Sequence, residues 1–189
     1  MSFFIVVLDT CVLFPSSLRD ILLRMAEASL YRVYFTDDIL EELRRNLISQ
    51  RGIAEDKAQR LIDNIREAFP ESLITHHRSL IPAMPINEKD RHVLAAAVAS
   101  SAQIIVTQNL KDFPQGYLAS FGVAAQAPDE FLVHLFYLAP KQVIDIITMQ
   151  AQDLQKPPKT VIELLATLKQ HAPNFVSLVR NYLSTLTSS

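Results

Sequence analysis

Asp9 stands directly after an unbroken apolar run, Phe3 to Leu8, in Val-Val-Leu-Asp-Thr-Cys-Val-Leu. A carboxylate so placed emerges at the carboxyl end of a strand, the edge where open parallel sheets bind ligands. It must be solvated, paired or bound to a cation, because burying it alone is too costly. Asp112 follows a second apolar stretch ending at Thr107, in Thr-Gln-Asn-Leu-Lys-Asp-Phe-Pro, and so falls in another loop at the same edge. Thr107 and Asn109 are neighbouring donors in that loop. Asp90, in Asn87-Glu88-Lys89-Asp90, lies in the first turn of a helix and can point into the same crevice. Glu41 and Glu42 share a helix whose apolar face is Ile39, Leu40, Leu43 and Leu47; at about 100° per residue Glu42 lies about 115° from the centre of that face and Glu41 about 145°. Each acid also has an ordinary structural reading. Asp9 can cap a helix, Asp112 can form an Asx-turn before Phe113-Pro114, Asn87 and Asp90 suit a capped helix start, and the glutamates can be solvated beside Arg45 or Asn46.

The elements that must position these acids follow from periodicity. Phe3 to Leu8 is continuously apolar rather than alternating, the pattern of a central parallel strand covered on both faces. A helix over Ser17 to Ser29 follows, with Leu18, Ile21, Leu22 and Met25 inside, and then a strand over Tyr31 to Phe35. Thr36 caps a helix through Asn46, and a third helix from Glu55 buries Ala58, Leu61, Ile62, Ile65 and Phe69 before Pro70 stops it. Leu73 to Thr75 is a short strand. Pro82 and Pro85 mark a connection to a helix over Glu88 to Ser101, Gln103 to Thr107 is a strand, and Phe121 to Ala124 is the last. Pro128 opens a helix through Leu138. Beyond Pro140 only helical periods recur, over Val143 to Met149, Val161 to Leu168 and Phe175 to Leu186.

Composition narrows the chemistry. The 189 residues are 49% hydrophobic and 20% charged, the balance of a globular chain with a substantial core. With 18 Lys and Arg against 20 Asp and Glu, the formal charge of -2 provides no global field for nucleic acid, so any such contact is local. The acidic excess lies before residue 141; the remainder has five basic and three acidic residues. The three glycines, Gly52, Gly116 and Gly122, exclude a Walker loop and a dinucleotide fingerprint. Cys11, the single cysteine, forms neither an internal disulfide nor a thiolate zinc site. No apolar run reaches the roughly 18 residues of a membrane span, and the start has no basic stretch before its apolar run, so neither a membrane nor a signal peptide is expected and the location expected is cytoplasmic.

Taken in order, hydrophobic-Asp-Thr-x-Val-Leu at Asp9, Ile-Leu-Glu-Glu-Leu at Glu42, Asp-Arg-His-Val-Leu-Ala-Ala-Ala at Asp90 and Val-Thr-x-Asn-x-x-Asp-Phe at Asp112 resemble the PIN-domain ribonucleases, including the VapC-type toxins of bacterial toxin-antitoxin pairs. The resemblance covers about residues 3 to 131, and its specificity lies in the order and spacing of the four pieces. It implies a PIN-like, Rossmann-like α/β fold, a parallel sheet flanked by helices over residues 1–138, with a C-terminal helical extension over 139–189. It also implies that Asp9, Glu42, Asp90 and Asp112 are the acidic quartet that binds Mg²⁺ or Mn²⁺ and catalyses RNA hydrolysis, and that the partners are an RNA substrate and an antitoxin. Asp9 and Asp90 are assigned to direct ligation, Glu42 to ligation or to orienting water, Asp112 to a second metal position, and Thr107 and Asn109 to support of the loop. Cys11 departs from the Asn or Ser common at that position. Four such anions repel by roughly 1 kcal/mol per pair at 4 Å in water, which a hard cation would relieve.

Arg19, Arg44, Arg45, Arg91 and Lys111 lie near the motifs and are candidate phosphate contacts, with surface solubility as the ordinary alternative for each. Tyr31 and Tyr34 are expected to pack rather than stack on bases, and Met149 with the tail apolar stripe to pack against the domain or a partner. Cys11 reads as a small buried thiol, and His76-His77, which lacks zinc-helix spacing, as surface or loop. The tail helices suit a second copy in a homodimer, an antitoxin helix or the cleft itself. Two other functions compete: a catalytically silent PIN-like RNA-binding or scaffolding module, and an aspartyl-phosphate hydrolase, which needs a second Asp where Cys11 stands.

Overall fold

The computed structural model describes residues 4–155 and 157–187. Strand β1 (Ile5–Leu8) leads into the single turn α1 (Thr10–Leu13), followed by α2 (Ser16–Glu27), β2 (Arg32–Thr36), α3 (Asp37–Arg51), α4 (Glu55–Ala68) and β3 (Leu73–Ile74). The 3-10 turns Arg78–Ala83 and Glu88–Asp90 precede α5 (Arg91–Ser100) and β4 (Ile104–Val106). A further turn, Leu110–Asp112, leads to α6 (Gln115–Leu118), the turn Ala119–Phe121 and β5 (Ala124–Gln126). The rest is helical: α7 (Pro128–Leu138), α8 (Pro140–Asp153), α9 (Val161–Leu168) and α10 (Pro173–Thr187). These elements form two compact units, Met1–Pro15 with Tyr31–Gln126, and Ser16–Leu30 with Ala127–Ser189.

In the first unit all strands are parallel, in the order β3-β2-β1-β4-β5. Val6 lies opposite both Val33 and Ile104, and Val6, Val7 and Leu8 are fully buried, which explains the unbroken apolar run. Helix α5 packs on the middle of the sheet through Val93, Leu94 and Ala95 to Ala97. Helix α3 begins where the Thr36 hydroxyl accepts the Ile39 N–H at 3.2 Å, and buries Ile39, Leu40, Leu43 and Leu47. It runs past the expected Asn46 to Gly52, whose φ of 63° lets its N–H close on the Ile48 carbonyl.

The remaining differences from expectation are local. The last strand falls at Ala124–Gln126 rather than Phe121 to Ala124, because Ala119–Phe121 is a 3-10 turn and Gly122 adopts a φ of 69°. The helix expected from Glu88 begins as a 3-10 turn, so Asp90, at φ -104° and ψ -7°, ends that turn and precedes α5. Neither Asn87 nor Asp90 makes a side-chain cap. Leu61 and Phe69 are half-buried rather than core.

In the second unit, α2 packs on α8 and α9, while α10 packs on α7 and α9. Leu18, Ile21, Leu22 and Met25 supply the buried face of α2. Asp129 accepts the Phe175 N–H at 2.8 Å and the Asn174 N–H at 3.1 Å, so a carboxylate of α7 satisfies the start of α10. Thr160 and Glu163 form a reciprocal cap on α9. Met149 is 55% exposed. Among the described residues no single helix is long and apolar enough to cross a membrane; α7 and α8 pass that test only as a pair bent by 119°.

Candidate active site

Strand order places the first acid. The sheet reverses its winding between β1 and β4, and Asp9 leaves the carboxyl end of β1 while Thr107 leaves that of β4. This is the crevice where doubly wound sheets take ligands. The Asp9 N–H continues the ladder onto the Val106 carbonyl at 3.0 Å, and the Thr107 hydroxyl donates to Asp9 Oδ2 at 2.7 Å. Thr107 is fully buried and its oxygen accepts the Asn109 N–H at 3.0 Å, so the loop and the carboxylate orient each other. The Cys11 thiol donates to the same Oδ2 at 3.1 Å and accepts the Gln108 N–H. Burial and then the charge of Asp9 push that thiol up to about 12, so it is a neutral donor near pH 7 rather than a nucleophile.

Asp90 and Asp112 converge on Lys89. The ammonium donates to Asp112 Oδ2 at 3.0 Å and stands 3.6 Å from Asp90 Oδ2. That second oxygen is buried and has no hydrogen-bond partner. Burial raises the Asp90 pKa, Lys89 opposes, and the negative charges of Asp112 and Asp9 raise it further. Three of the sequence-predicted acids are thus electrostatically coupled. Between the ordinary aspartate value near 4 and the raised folded value, the folded state holds a proton that the unfolded state has released, so stability falls as pH rises through that window. Asp90→Asn removes this slope. Thermal melts from about pH 4 to 7 should therefore show the variant gaining on the wild type as pH rises; a constant difference would mean that Asp90 is not strained.

Glu42 is half-buried and turned toward other partners. Its Oε2 accepts the Thr10 hydroxyl at 3.0 Å and stands 3.5 Å from His92 Nε2. His92 and then Thr10 outweigh burial and hold its pKa below the usual range. Among the described residues no hydrogen bond reaches Oε1. Glu41 pairs with Arg44, at 2.9 Å, rather than with Arg45 or Asn46.

Residues 5–111, more than half of the chain, match the family model of the PIN domain. The chain belongs to the PIN domain family. Residues 128–181 match a second model, the VapC50 C-terminal domain, so the PIN domain carries a VapC50-like extension. Over 104 residues the chain is 38% identical to a Mycobacterium tuberculosis (strain ATCC 25618 / H37Rv) protein named "Putative ribonuclease VapC50", a match covering 55% of this chain and 62% of that protein.

The acids of this PIN domain fit a divalent cation by chemistry: hard oxygens, mutual repulsion and a buried Asp90 oxygen that receives no hydrogen bond. Among the described residues no three His, Cys, Asp or Glu side chains converge closely enough to hold an ion as they stand. Lys89 occupies Asp90 and Asp112, while Glu42 turns to Thr10 and His92. The candidate phosphate contacts divide. Arg44 is engaged by Glu41 and Glu55, and Arg91 donates to the Ile86 carbonyl. Arg91 and Lys111 line a recess of about 460 Å³ that Asp112 also borders, and Arg19 belongs to the helical unit. Arg45 borders another recess, with Glu42 and Lys89.

Lys89, His92 and Thr10 were not singled out from sequence, although each is within two residues of a motif acid or on its helix. His77, expected at the surface or in a loop, lies in the loop after β3 but is 1% exposed, its Nε2 lying 2.7 Å from Asp38 Oδ2. Tyr31 is buried and stacks on Phe4, as expected of a core residue.

Proposed function

We propose that the PIN domain is a metal-dependent endoribonuclease that hydrolyses RNA phosphodiester bonds, acting as the toxin of a toxin-antitoxin pair in the cytoplasm. The observation that carries this reading is the gathering of Asp90 and Asp112 around Lys89, at 3.6 and 3.0 Å, where one buried Asp90 oxygen has no hydrogen bond and the charge of Asp9 is felt. The name of the mycobacterial relative supports the same activity. Asp9, Asp90 and Asp112 would hold Mg²⁺ or Mn²⁺, with Glu42 as the fourth acid. A bound cation supplies a water-derived nucleophile near neutral pH and cover for charge on the phosphate oxygens. The chain's own contribution is orientation: Thr107 and Cys11 fix one oxygen of Asp9, and Thr10 fixes one oxygen of Glu42. Glu42, held anionic, presents Oε1 as a proton acceptor. The C-terminal helices form the extension, with an antitoxin segment or a second copy as its partner.

The test is incubation of the full chain with a mixed structured RNA pool in Mg²⁺ or Mn²⁺, beside an EDTA control. Metal-dependent internal cuts are expected. RNA binding without cutting in either metal would overturn the nuclease reading in favour of a silent RNA-binding module, and release of inorganic phosphate from phosphomonoesters alone would favour a phosphatase.

A further inference from the structure

Within the sheet unit a recess of about 760 Å³ opens beside Glu42 and Lys89, with Arg45, Asn46, Ile81 and Pro82 in its walls. This is the size of a small-ligand site, about 300–1,000 Å³. Lys89 also contacts Asp90 and Asp112, so the recess adjoins the acid cluster. Its polar groups are unequally engaged. Arg78 is held by Asp38 at 3.1 Å, and Arg44, next in sequence to Arg45, by Glu41 and Glu55. Among the described residues Arg45 makes no hydrogen bond or ion pair, and neither does the Asn46 amide. The wall therefore offers a guanidinium that feels the charges of Glu41 and Glu42 without pairing directly with either, an amide with both donor and acceptor available, and an apolar Ile81-Pro82 surface, beside the carboxylates Asp38, Glu41 and Glu42.

Those groups match the parts of one nucleotide. A guanidinium suits a phosphate, an amide reads the donor and acceptor pattern of a base edge, and an apolar wall covers a base face. A base can enter such a recess only when it is unstacked, which selects single strands over A-form duplex. We propose that this recess binds one nucleotide of a single-stranded RNA beside the bond to be cut, with Arg45 on its phosphate and Asn46 on its base edge. The assignment rests on the ribonuclease reading and names the determinant of base preference within it.

The full chain is titrated in EDTA with short labelled homopolymers of each RNA base, read by fluorescence anisotropy at several salt concentrations. Arg45→Ala is expected to weaken binding of all four about tenfold and to lower the salt slope by about 0.7, one phosphate contact on a single strand. Asn46→Ala is expected to flatten the preference among the bases. Arg60→Ala, on α4 and paired with Asp56, is the control that should bind like the wild type. Melting temperatures confirm that the variants fold. Binding by Arg45→Ala and Asn46→Ala equal to the wild type overturns the recess. If RNA is still cut in the parallel cleavage assay, the nuclease reading survives that failure; if Arg45-dependent binding is seen without cutting in either metal, the recess stands and the nuclease reading falls.

Discussion

Asp9→Asn is expected to lower kcat/KM for RNA cleavage by more than about 10³-fold, about 4 kcal/mol of transition-state stabilisation, while the fold remains intact. The two effects separate because the side chain has two roles. As an oxygen acceptor it receives the Thr107 hydroxyl at 2.7 Å, a bond that the asparagine carbonyl can keep. As an anion only 7% exposed, it contributes charge to a cluster that already raises the Asp90 pKa, and asparagine cannot replace that. Divalent-metal affinity should fall with activity, because the hard cation loses an anionic ligand. The melting temperature of the metal-free variant should match or exceed that of the wild type, since a repulsive charge has gone. Isothermal titration with Mn²⁺, a thermal melt and a cleavage time course give all three readouts. An Asp9→Asn protein that melts normally and retains a tenth of wild-type cleavage would remove Asp9 from the mechanism.

The opposite profile is expected of Leu43→Ala. Leu43 is fully buried on α3, one residue from Glu42, and shares its buried face with Ile39, Leu40 and Leu47. Truncation to alanine loses the transfer free energy of the removed methyls and leaves a cavity, together about 3 kcal/mol within a range of about 2–5. For a chain of this size that lowers the melting temperature by about 6–12 °C. Glu41→Ala, one turn-face away and exposed, should cost less than about 1 kcal/mol, because its pair with Arg44 is at the surface. Urea titrations of the two variants decide the matter. A cost for Leu43→Ala below about 1 kcal/mol would mean that this apolar face is not what holds α3, and Glu42 with it, in place.

Much of the site was legible because its signals are local. An unbroken apolar run followed by Asp9 predicts a buried strand with an acid at its end, and both are observed. The Thr36 cap and the apolar face of α3 were readable in the same way, since the contacts that create them lie within one or two turns. The partners of the acids were not. Lys89 meets Asp112 across 23 residues and Thr10 meets Glu42 across 32, and no periodicity encodes such pairings. The loop position of His77 was legible but its burial was not, because its partner Asp38 lies 39 residues earlier. The last strand was misplaced because Gly122 takes a left-handed conformation that its apolar neighbours do not announce.

By itself the sequence determined that this chain forms a parallel α/β sheet with carboxylates at its strand ends and a helical tail, because apolar periodicity and turn residues act over a few positions. Only the tertiary structure decided which of those ends meet. The order β3-β2-β1-β4-β5 sets Thr107 against Asp9 across 98 residues, gathers Asp90 and Asp112 around Lys89, and turns Glu42 toward Thr10 and His92. The reason is physical: strands of equal apolarity pair in any order as far as their own residues show, and the order is selected by how connections and helices close over the whole sheet.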